Sequence, residues 1–179
     1  MKYTIQTLPQ TLEKEDFVLF FDSIPHNPVT KSCLSQWYDC EFYVSGIKYS
    51  TAEQYMMASK ALLFNDMHNF REIMRAHTPQ EFKHLGRQTQ GFDGNIWNAH
   101  KDRIVVEGNI AKFSQNADLK AFLLSTGNKI LVEASPYDKI WGIGIDENHP
   151  DAYTPSRWLG ENHLGFALMS ARDAIRAME

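Results

Sequence analysis

The sequence predicts an α+β domain, mainly helical, with a small sheet edged by helices. Segments with helical spacing and recognisable caps clearly outnumber strands. The strand-like runs are short and dispersed, and no repeat, low-complexity tract or Gly/Pro/Ser-rich linker divides the 179 residues. Residues 1–16 are polar and read as an N-terminal extension, and residues 17–179 read as one continuous domain.

Phe17-Val-Leu-Phe-Phe21 is a short apolar run that predicts a buried strand. The prolines, Asp and Asn of 22–30 mark a loop. Residues 41–49 predict a hairpin turning at Ser45-Gly46. A helix follows to about Phe64, with Ser50 and Glu53 forming a capping box and Ala52, Met56, Ser59 and Leu63 as its inward stripe. Further helices are expected over 66–75, 79–88 and 95–113. Thr78, Pro79 and Glu81 supply the cap, the first helical residue and the box of the second. Asn116 caps a helix over 117–125, which Gly127 ends. Residues 129–134 predict a strand, 140–144 a second extended segment, 146–156 a polar loop, and 164–177 the closing helix.

Composition narrows the function classes. Hydrophobic residues at 43% suffice for a sizeable core. A net charge of −4 with scattered Lys and Arg lacks the concentrated positive footprint of a nonspecific nucleic-acid binder. No apolar run approaches the roughly 18–20 residues of a membrane span. The polar N-terminus carries no signal-peptide stretch, so a cytoplasmic protein with no membrane partner is expected. Cys33 and Cys40 then read as free structural thiols. The seven histidines make no metal signature, and no Walker loop, G-x-G-x-x-G or G-x-S-x-G is present. No metal, nucleotide cofactor or serine nucleophile is expected, and oligomeric state is left open.

Three stretches hold chemistry. In the helix over 48–64, Glu53 and Lys60 are seven residues apart and project within roughly 20° of each other. A carboxylate there can stabilise the oxocarbenium-like charge that builds when a C1′–N bond breaks, or activate water, and an amine of lowered pKa can capture C1′ as a Schiff base. A capping Glu and a surface Lys would explain the same residues without function. Around 135–144, Asp138 sits in a turn beside Tyr137 and Trp141, an acid among aromatics with a ring suited to stacking on a base. Over 94–113, Trp97, His100 and Arg103 recur at three-residue spacing, and Arg103 can fork onto a carboxylate or a phosphate.

Taken together, LSQWY (34–38), YSTAEQYMMASKA (49–61), the Trp97 region, 103–116, VEASPYDKIWGIG (132–144) and GENHLGFALMSAR (160–172) resemble the NADAR superfamily, also called YbiA-like. The pieces run in family order over about residues 17–175. The resemblance implies an N-glycosidase that hydrolyses phosphorylated ribosylamine intermediates of riboflavin synthesis and releases ribose 5-phosphate. It maps the family's acid onto Glu53, its lysine onto Lys60, its D-x-x-W element onto Asp138 and Trp141, its helical Trp onto Trp97, and its G-x-N element onto Asn162. Gln54 and Ser59 stand where many relatives carry His and Gln. The expected catalytic residues are thus Glu53, Lys60 and Asp138. The expected substrate contacts are Trp97, Arg103, Trp141 and Asn162, with Lys112 an alternative to Arg103 at the phosphate. Two further readings stand beside this one. The first is a glycohydrolase that removes ADP-ribose from guanine in nucleic acid, the only reading with a nucleic-acid partner. The second is a noncatalytic module binding an ADP-ribose-type nucleotide.

Overall fold

A computed structural model describes residues 2–178. Six helices form the body: α1 (Ala52–Leu63), α2 (Met67–Arg75), α3 (Pro79–Arg87), α4 (Gly94–Gln115), α5 (Ala117–Ser125) and α6 (His163–Arg176). Four short strands accompany them: β1 (Phe17–Phe20), β2 (Phe42–Val44), β3 (Ile47–Tyr49) and β4 (Ile130–Glu133). The architecture is the expected α+β one, but the strands form two separate pairs among the described residues. β1 and β4 run parallel, with Phe17 opposite Ile130 and Phe20 opposite Glu133. β2 and β3 form an antiparallel hairpin. Its turn residues Ser45 (φ 51°) and Gly46 (φ 78°) both take positive φ, as a tight two-residue hairpin turn requires.

α1 lies at the centre, packing on α2, α3 and α4, while α4 and β4 both pack against α6. From Ala52 to Ala58 every α1 residue is buried, so the expected single inward stripe is instead a helix covered nearly all round. The described N-terminal residues lie on this core: Tyr3, Ile5, Leu8 and Leu12 pack against it, and the Tyr3 hydroxyl donates to Asp173 of α6 at 2.6 Å.

Two local expectations are corrected. The helix cap is Thr51, whose Oγ1 accepts from Gln54 N–H at 3.1 Å, and the Gln54 side chain reaches back to the Ser50 N–H. Glu53 takes no part in capping. The segment 140–144 is not a strand; its backbone groups are tied instead to Glu133 and to the 159–164 segment. At Thr78, by contrast, the box with Glu81 forms as expected. No described helix is long and apolar enough to cross a membrane.

Candidate active site

Between α1, α3, the C-terminal end of β4 and the loop after it lies a cleft of about 930 Å³. α1 sends Glu53, Met57 and Lys60 into it, one turn of helix apart. Asp138 enters from the loop after β4, and Trp97 from the first turns of α4. Trp37 and Trp141 line other parts of the wall.

Relieved of capping, Glu53 is 4% exposed. Burial pushes its carboxyl up to about 7 and the nearby Asp138 adds to the shift; Lys83, a hydrogen bond from the Trp37 side chain and Arg87 oppose it. Lys60 donates to the Gly86 carbonyl at 2.7 Å. Its Nζ lies 4.4 Å from the Phe92 ring centroid and 5.6 Å from that of Trp97. Partial burial and the Arg87 charge lower its pKa. Gly86 leaves room for the Met57 side chain, which a Cβ at that position would meet and displace.

Asp138 closes a turn: its Oδ1 accepts the backbone N–H groups of Ile140 and Trp141, at 2.9 and 2.8 Å. That turn aims the Trp141 indole along the cleft wall. Behind the indole, His163 packs edge-on at 5.9 Å. His163 is itself held by Asp102 at Nδ1 (2.8 Å) and Glu161 at Nε2 (2.6 Å), and the Asp102 hydrogen bond leads in raising its pKa.

Of the residues expected to catalyse or to contact substrate, the cleft therefore gathers Glu53, Lys60, Asp138, Trp97 and Trp141. It leaves out three. Arg103 is exposed and pairs with Glu107 at 3.0 Å. The three-residue spacing explains the miss, since six residues turn a helix face by about 120° between Trp97 and Arg103. Lys112 is fully buried and donates to the Ser35 carbonyl at 2.8 Å. Asn162 is fully buried with φ 55°; its side chain bridges the Leu131 carbonyl and the Glu133 N–H, each at 3.0 Å, so it bonds to β4 rather than facing the cleft.

The cleft also holds residues that sequence reasoning passed over: Trp37, Lys83, Arg87 and Glu133. Lys83 and Arg87 are one helical turn apart on α3, and Lys83 Nζ sits 5.9 Å from the Trp37 ring centroid. Their i,i+4 spacing was visible in the sequence as a shared face. Glu133, which ends an otherwise apolar strand, lies within the quoted segment 132–144 but drew no role there. Among the described residues, no group of three His, Cys, Asp or Glu side chains is arranged to hold a metal ion.

Residues 20–176 match the family model of the NADAR domain. An N-glycosidase of Acanthamoeba polyphaga mimivirus is 46% identical over 163 residues, covering 88% of this chain and 96% of the viral protein. An N-glycosidase of Nostoc punctiforme is 33% identical over 144 residues, 80% of this chain and 85% of its own length. The NMR structure of the Escherichia coli protein YbiA superposes with a TM-score of 0.72 at 27% identity, covering 95% of this chain and 92% of that one. By class, then, the chain is an N-glycosyl hydrolase. It belongs to the NADAR domain family.

Proposed function

We propose that the chain hydrolyses the C1′–N bond of a phosphorylated ribosylamine, an intermediate of riboflavin synthesis, and releases ribose 5-phosphate. The observation that carries this reading is the convergence of Glu53, Asp138 and Lys60 on one cleft walled by indole rings. The base stacks on Trp141 or Trp97. Lys83 and Arg87, not Arg103, take the phosphate, because they are the cations of α3 that line the cleft. As the bond breaks, positive charge builds at C1′, and the Asp138 carboxylate supports it. The leaving nitrogen takes a proton from a carboxyl of the cleft. The lowered pKa of Lys60 suits it to capture C1′ and hold the opened sugar as an imine. Glu53, titrating near neutrality, activates the water that releases it.

The test is a panel of N-ribosides with free reducing sugar as readout. Ribosylamine 5-phosphates are expected to release sugar fastest, and Lys83→Ala to raise KM on phosphorylated members alone. A protein that releases no sugar from any member contradicts the reading. The cleft volume, near the upper end for small-molecule sites, favours one second reading, in which the substrate is an ADP-ribosylated guanine. An ADP-ribosylated oligonucleotide in the same panel separates the two.

A further inference from the structure

Glu133 closes β4, and its backbone is held at both polar atoms. Its N–H donates to Asn162 Oδ1 at 3.0 Å, and its carbonyl accepts from Ile143 N–H at 2.9 Å. The side chain leaves this fixed point into the wall of the cleft. Its Oε2 is sealed from solvent and has no hydrogen-bond partner among the described residues.

The other two carboxyls of the cleft are placed differently. Asp138 accepts two backbone N–H groups, and the Trp37 side chain beside Glu53 favours its ionised form. Donors favour the ionised form, and their absence around a buried carboxyl favours the acid. An ionised Glu133 would leave a buried oxygen uncompensated, whereas a carboxylic acid can turn its O–H toward whatever fills the cleft. The charged groups facing it point the same way. Glu53 from α1 and Asp138 from the following loop oppose its ionisation, and Lys83 from α3 alone favours it. Burial is the largest cause, and together they push the Glu133 carboxyl up to about 8.

We infer that Glu133 is the proton donor of the reaction, delivering its proton to the leaving nitrogen from the floor of the cleft. The inference rests on the N-glycosidase reading of this cleft. As the C1′–N bond breaks, its electron pair goes to nitrogen, which takes the Glu133 proton and departs as a neutral amine. Water supplies the hydroxyl that ends on C1′; Glu53 takes its remaining proton, which passes through the cleft to reprotonate Glu133 and close the cycle.

The experiment compares wild type and Glu133→Gln on N-ribosides whose leaving nitrogens span a wide range of basicity. A pyridinium riboside, which departs without a proton, stands at one end and an alkylamine riboside at the other. The loss in kcat is expected to grow along the series, from little on the pyridinium to about 10²–10⁴-fold on the alkylamine, the range of a placed general acid. A loss that is uniform along the series, or absent, overturns the assignment while leaving the N-glycosidase reading intact. A wild type that cleaves no riboside overturns both. One measurement needs no variant: wild-type kcat on alkylamine ribosides should fall above pH 8, and kcat on the pyridinium should not. A shared pH profile would also overturn the assignment.

Discussion

Replacing Glu133 with Gln should remove part of the pH dependence of folding. The Glu133 carboxyl holds its proton to about pH 8 in the folded chain, against an ordinary value of 4.5. Between those values the folded chain binds a proton that the unfolded chain has lost, so stability falls as pH rises. The slope is about 1.4 kcal/mol per pH unit for one such group. Glutamine cannot titrate, so the variant lacks this slope. The unfolding free energy of Glu133→Gln relative to wild type should therefore climb by roughly 3 kcal/mol between pH 5 and pH 7. Any constant penalty from the amide shifts both ends equally and leaves the climb unchanged. His163, whose raised pKa adds a decline of the same sign above 6.5, is present in both proteins and cancels. So do Asp66, Glu81 and Asp173, whose lowered pKa values act below the ordinary carboxylate range. Urea titrations at pH 5, 6 and 7 read the difference directly. A constant offset across that range would refute the claim that this carboxyl is protonated in the fold.

Other outcomes follow from the same geometry. Arg103→Ala should leave turnover and KM unchanged, since its guanidinium meets Glu107 on the surface, whereas Arg87→Ala should raise KM for a phosphorylated substrate; steady-state kinetics on both variants decide it. Thr51→Ala should cost about 1 kcal/mol of stability through the lost cap, measured by denaturant titration, while Glu53→Gln should show no cap loss. Borohydride added during turnover should trap a pentose adduct on the peptide carrying Lys60, detected by mass; an unmodified Lys60 with full turnover counts against the imine route.

What the sequence disclosed and what it hid have physical causes. The helices were legible because their caps are local: Thr78 with Glu81, or Gly127 at φ 58°, need no distant partner. Ser50 and Thr51 are both good caps, and a frame shift of one residue decided between Glu53 and Gln54 as the reciprocal partner. That shift matters for function, because it frees Glu53 for the cleft. The 140–144 segment has the apolar content of a strand, but its backbone partners lie in 159–164, which no periodicity reveals. Glu53 and Lys60 were readable as a pair because seven residues bring a helix back to nearly the same direction. Glu133, Lys83 and Trp37 enter the site only through the packing of β4, α3 and the 35–37 segment around α1, which is tertiary information.

Every role assigned to these side chains requires that the ribosyl–nitrogen bond be cut in this cleft. Following the anomeric proton of a ribosylamine 5-phosphate by NMR, with wild type and Glu53→Gln side by side, tests that directly. Wild type should convert it to ribose 5-phosphate, and the variant should be slower by at least about 100-fold with its melting temperature at pH 6 not lowered. Equal rates for the two folded proteins would place the chemistry elsewhere.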